Sequence, residues 1–169
     1  LERTTQGYRV HYAIADLTAF VAPGDPLDLE AHRRGQTIYC PDSRVPLHPP
    51  ALSEGAASLL PGEDRPAYVW EIELDTEGAR RSARVYRAMV RSRARFTYEE
   101  AQEGIDSADE RFALLAEIGL LRIERESARG GASLPMPEQE VHADEEGRYS
   151  LRLRPLLAAE ELNAQISLL

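Results

Sequence analysis

Ala67-Tyr68-Val69-Trp70-Glu71-Ile72-Glu73-Leu74 alternates apolar and polar side chains, the period of a strand with one face buried. Asp75-Thr76-Glu77-Gly78 follows as a turn, and Ala83 to Arg93 runs back, so the spacing predicts an antiparallel hairpin. Upstream, Tyr8 to Asp16 is β-branched and aromatic with rough alternation and reads as a further strand. Asp25-Pro26 opens a short helix over Pro26 to Arg34, with aspartate as cap, proline in the first turn and Gly35 as the stop. Between these lies Gln36 to Pro66, rich in proline and poor in periodic apolar residues, which reads as a long wrapping segment largely without regular structure.

Downstream of the hairpin, Thr97 with Glu100 and Ser107 with Glu110 both have capping-box spacing. The second box opens a long helix from Ala108 to about Arg129, with Phe112, Leu115, Ile118 and Leu121 on its buried side. Glu138 to His142 and Arg148 to Arg154 read as a second hairpin, and a last helix begins near Pro155. The expected fold is therefore α+β, a mainly antiparallel sheet with helices packed on one face and the Pro-rich segment draped across it. The expected organisation is one domain over residues 1 to 169, a piece of something longer.

At 169 residues with 43% hydrophobic and 29% charged side chains, the chain is neither disordered nor fibrous. No apolar run approaches the ~20 residues of a membrane span. The single cysteine, Cys40, excludes an internal disulfide and a cysteine-based zinc site, and fits a reducing cytoplasm. The net charge is −9, yet every basic residue other than histidine is arginine, and seven of them fall between Gly78 and Tyr98 with no acid among them. Such a stripe can grip a polyanion on a chain that is acidic overall. Arg91, Arg93 and Arg95 recur at period two, so in a strand all three leave one face. They suit phosphate; they equally suit pairing with Glu71 and Glu73 across the hairpin. Tyr39 and Tyr98 are candidate stacking platforms for single-stranded nucleic acid, or else ordinary packed tyrosines. Asp16 reads either as a strand-end site carboxylate or as a turn residue, and His11 as a strand residue rather than a ligand. Glycine-rich phosphate loops, nucleophile elbows and zinc-protease motifs are all missing.

The order of these pieces resembles the catalytic domain of the ribonuclease II / ribonuclease R family, the RNB domain. The resemblance rests on Tyr12-Ala13-Ile14-Ala15-Asp16-Leu17, Tyr39-Cys40-Pro41-Asp42, Val45-Pro46-Leu47, Pro61-Gly62-Glu63-Asp64-Arg65 and Arg91-Ser92-Arg93-Ala94-Arg95-Phe96-Thr97-Tyr98-Glu99-Glu100. It covers roughly Tyr8 to Gln102, and thins beyond Gly104 to element order with Leu134-Pro135-Met136-Pro137. It implies processive 3′-to-5′ hydrolysis of RNA to nucleoside 5′-monophosphates, assisted by Mg²⁺ on aspartates that lie upstream of Leu1. No catalytic or metal-binding residue is expected within Leu1 to Leu169. It further implies that Tyr39 contacts the 3′-terminal nucleotides and that Tyr98 helps set the length of the end product. Arg91, Arg93 and Arg95 become an RNA-binding wall, and flanking OB-type domains, a monomeric state and a cytoplasmic location are expected of the parent chain. Two departures from the family pattern stand out: Ser133-Leu134 where a base-stacking aromatic is usual, and Ala164-Gln165 where paired glutamates are usual. A catalytically inactive RNA-binding module of the same fold and an interaction domain without enzymatic role remain as alternatives.

Overall fold

The structure is a computed structural model, and it describes residues 1–40, 42–131, 137–144 and 146–169. The chain divides into two compact units: residues 1–12, 70–85 and 96–169, and residues 13–69 and 86–95. The longest sheet has the order β1-β2-β5-β6, from β1 (Glu2–Thr4), β2 (Gly7–Ala15), β5 (Asp64–Leu74) and β6 (Arg80–Arg91). β1 and β2 are antiparallel with Glu2 opposite Arg9 and Thr4 opposite Gly7. Ion pairs from Arg9 to Glu73 and from His11 to Glu71 run in opposite senses along β2 and β5, so that pair is antiparallel too. β1 went unread in the sequence because three polar residues offer no alternation.

The first unit buries one face of its strands under helices. Tyr8 and Val10 of β2 and Ile72 and Leu74 of β5 point the same way by the two-residue period, and they pack with Ile118 of α3 (Glu110–Ala128) and Ile166 of α4 (Ala158–Ser167). This is the expected α+β arrangement. Ala101 of α2 (Tyr98–Asp106), Phe112 and Ala159 make a second cluster where the three helices meet. Gly119 lets α3 and α4 approach closely; a β-carbon there would lie 2.6 Å from Leu162 Cδ2. The hairpin of β7 (Glu138–Ala143) and β8 (Tyr149–Arg154) pairs separately, with Val141 opposite Leu151.

The expected capping box at Ser107 does not form. Ser107 ends α2, its hydroxyl donating to the Gly104 carbonyl at 3.2 Å, and Ala108 takes a left-handed φ of 58°. Asp109 then caps α3, accepting from the Arg111 amide, so this helix starts two residues later than the sequence predicts. The last helix likewise starts at Ala158 rather than near Pro155.

The second unit holds α1 (Pro26–Arg34), whose boundaries match the prediction, with Asp25 accepting from the Asp28 amide and Gly35 at φ 78°. Its small core is Val21, Leu52 and Ala57, with Leu17 against them. The segment from Gln36 to Pro66 carries more structure than expected: a two-residue ladder of β3 (Ile38–Tyr39) and β4 (Arg44–Val45), a π-helical turn at Ala51–Ala56, and the start of β5 at Asp64.

Candidate nucleic-acid interface

Tyr39 stands on the β3–β4 hairpin, opposite Arg44. The hairpin is tied down by backbone and short polar links: the Cys40 amide donates to the Ser43 carbonyl at 2.9 Å, and the Leu47 amide donates to Thr37 Oγ1 at 3.1 Å. Arg34 of α1 donates to the Pro46 carbonyl at 3.1 Å, and Arg44 pairs with Glu54. None of these bonds uses the tyrosine. Its side chain is 77% exposed and has no hydrogen-bond partner among the described residues. A packed tyrosine buries its ring and satisfies its hydroxyl, and Tyr39 does neither among the described residues.

Tyr98 belongs to the first unit and is more firmly held. Thr97 and Glu100 form the predicted capping box, which makes Tyr98 the first residue of α2. Just ahead of it, Phe96 meets Phe112 edge-on at 5.1 Å between ring centroids, and the Arg111 guanidinium lies over both rings. Gly104 makes room for this: a β-carbon there would come within 2.3 Å of Phe112. The Tyr98 hydroxyl accepts from Asn163 Nδ2 of α4 at 3.2 Å while 44% of the residue stays exposed.

The three arginines do not share one strand face, because β6 ends at Arg91. Ser92 makes an isolated parallel bridge to Pro61 and accepts from the Gly62 amide at 2.8 Å, after which ladder pairing stops. Nor do they pair with Glu71 and Glu73. Arg84 takes Glu71 at 3.0 and 2.9 Å, His11 lies 3.3 Å from the same carboxylate, and Arg9 takes Glu73. Arg91 instead grips Asp64 with two 2.7 Å bonds, which hold that carboxyl below its usual range. Arg93 and Arg95 are exposed and make no ion pair or hydrogen bond among the described residues. Arg93 and Arg95 are thus open cations in an acidic chain, which is what phosphate attraction requires.

Asp16 caps the turn Leu17–Ala19, in keeping with its reading as a turn residue, and it also takes a distant partner. It is buried, its Oδ1 accepts the Thr18 hydroxyl at 2.6 Å, and its Oδ2 accepts Arg87 Nε at 2.7 Å. The Thr18 bond, and then Arg87 with its bond and charge, lower the carboxyl's pKa against the opposing effect of burial. Sequence reasoning missed this pair, since the partners lie 71 positions apart. The only local signal was that Arg87 has the same parity along β6 as Arg91.

Among the described residues no group of three or more histidine, cysteine, aspartate or glutamate side chains converges where a metal ion could sit. Ser133 and Leu134 lie outside the described residues; Gln165 is buried in α4, where it donates to Glu126. No helix among the described residues is long and apolar enough to cross a membrane.

A family model described as the RNB domain matches residues 1–166. Ribonuclease R of Aquifex aeolicus is 34% identical over 158 residues, covering 87% of this chain and 22% of that protein. The chain thus spans about a quarter or less of the length of the curated relatives it matches. The solved structure of Mycoplasma genitalium RNase R in complex with double-stranded RNA superposes with a TM-score of 0.89 at 25% identity, over 98% of this chain and 31% of that one. Yeast Ssd1, described as a pseudonuclease, shares the fold with a TM-score of 0.70 at 18% identity, over 94% of this chain and 20% of that one.

Proposed function

Since the chain belongs to the RNB domain family, we propose that it is part of a 3′-to-5′ exoribonuclease that hydrolyses RNA processively to nucleoside 5′-monophosphates. The observation that carries this reading is Tyr39, a fully displayed aromatic on a braced hairpin, in a unit that also holds the open cations Arg93 and Arg95. A sequence-tolerant enzyme must hold its substrate through base faces and phosphates, and these are the two groups such binding uses. The relatives support RNA as the substrate, since the Mycoplasma protein was solved with RNA bound.

In this reading Tyr39 stacks on nucleotides near the 3′ end, and Tyr98 limits how short the end product becomes. Arg91, Arg93 and Arg95 meet phosphates, Arg91 by exchanging Asp64 for the RNA. Mg²⁺ sits on aspartates that precede Leu1 in a longer, cytoplasmic, monomeric polypeptide with flanking OB-type domains. The residues described here bind and orient the strand, and residues 1–169 form an incomplete catalytic domain.

The test is digestion by the intact parent protein of RNA labelled at its 5′ end. Stepwise shortening from the 3′ end, with nucleoside 5′-monophosphates as products, is the expected result. Salt-sensitive binding without degradation would move the chain to the inactive RNA-binding module. No binding at all would leave an interaction domain.

A further inference from the structure

Arg87 is exposed, yet the carboxylate that holds it is buried and fixed. A terminal nitrogen joins Nε on Asp16 Oδ2 at 2.6 Å, and the Asp16 side chain is 2% exposed. The guanidinium carbon lies 5.5 Å from the centre of the Tyr68 ring. Thr18 gives its one hydroxyl proton to Asp16, so across their 3.3 Å contact the Tyr68 hydroxyl donates to Thr18. The three residues close a ring of bonds around one edge and one face of the guanidinium. Even so, 59% of the Arg87 side chain stays exposed. Arg91, by contrast, is held by a carboxylate that is itself 57% exposed.

A guanidinium carries five N–H donors. Asp16 and Thr18 use those on the Nε side, which leaves the Nη1 end free to face a ligand. An arginine gives up much rotamer freedom when a ligand fixes it; here folding has already removed that freedom. Its neighbours on the sheet face are apolar. The two-residue period sets Met89 beside Arg87 on β6, and Ile14 lies at the end of β2, two residues before Asp16; these are 66% and 51% exposed. A fixed cation near exposed apolar side chains suits a nucleotide, whose charged phosphate is tethered to a base with an apolar face.

We propose that Arg87, clamped by Asp16, Thr18 and Tyr68, is a preformed phosphodiester subsite for RNA, with Met89 and Ile14 as the floor for the adjoining nucleoside. The proposal rests on the ribonuclease reading and adds a site to it. The test uses the intact parent protein with metal chelated, so that RNA binds without being cut. Binding of a fluorescent oligo(A) is followed by anisotropy from about 50 to about 200 mM salt. Arg87→Gln should weaken binding roughly tenfold and flatten the slope of log K against log salt by about 0.7, the loss of one phosphate contact on a single strand. Arg87→Lys should keep the slope but lose affinity, because an ammonium cannot serve Asp16 and a phosphate together. Arg87→Lys also decides the matter if Arg87→Gln does not fold. Wild-type affinity in Arg87→Lys, or a lowered melting temperature with unchanged slope in Arg87→Gln, would show a purely structural ion pair and overturn the subsite. Failure of the ribonuclease reading is seen separately, as absence of RNA binding by the unaltered protein, and it would overturn both.

Discussion

Replacing Tyr39 by alanine separates binding from stability. The ring is 77% exposed and its hydroxyl has no partner among the described residues, so truncation removes little buried surface and no internal bond. The stability change should stay within about 0.5 kcal/mol, or about 1–2 °C in melting temperature for a domain of this size. A base stacked on the ring contributes ~1–3 kcal/mol, so affinity for a short RNA should fall roughly 5- to 150-fold. No charge is lost, and the salt slope should not change. Tyr39→Phe keeps the stacking face and should retain affinity within about twofold. Anisotropy with chelated metal gives the affinities, and calorimetric melting gives the stability. A drop of several degrees with unaltered affinity would mean that the ring packs against something in the intact protein, and the binding role would be wrong.

Tyr98→Phe removes only the bond from Asn163 and should preserve the length of the residual oligonucleotide, whereas Tyr98→Ala should change that length with the rate on long RNA nearly intact; gel analysis of end products decides. Gly7→Ala should cost about 3 kcal/mol or more, because φ is +138° and the new carbon would lie 2.2 Å from the Leu74 carbonyl oxygen; the melting temperature should fall by about 6–12 °C. Glu30 is held at a pKa of about 2 by hydrogen bonds first from Arg33 and then from Arg34. A depressed carboxyl stabilises the fold above its unfolded value, near 4.3, and this support is lost as pH falls towards 2. Amide exchange in α1 should therefore quicken across that window, and Glu30→Gln should remove the share that Glu30 contributes, leaving that of the Asp25 cap, whose carboxyl the Asp28 amide also lowers.

How much could be read in advance depended on whether the deciding partners were neighbours in sequence. The limits of α1 were legible because Asp25, Pro26 and Gly35 act on backbone within a few residues of themselves. The start of α3 was decided by tertiary contact: Phe112 docks against Gly104, α2 runs to Asp106 with Ser107 ending it, and Asp109 becomes the cap. The exposure of Tyr39 was likewise outside local pattern, since tyrosine is equally at home packed or displayed. Of the seven stripe arginines, the sequence could place the charge but not its neutralisation. Arg84, Arg87 and Arg91 meet carboxylates 13, 71 and 27 positions away, and only distance in space separates them from the unpaired Arg93 and Arg95.

The corner between α2 and α3 turns on Ala108, whose amide donates to the Ile105 carbonyl at 3.0 Å while the next amide, of Asp109, reaches back to Gly104 at 2.8 Å. Glycine is the usual occupant of such a left-handed helix end, and a β-carbon there costs about 1–2 kcal/mol. Part of that would be returned as chain entropy if glycine were introduced, so Ala108→Gly leaves a modest net gain. The joint therefore offers room for improvement by engineering, with a single methyl group setting the strain at the helix end.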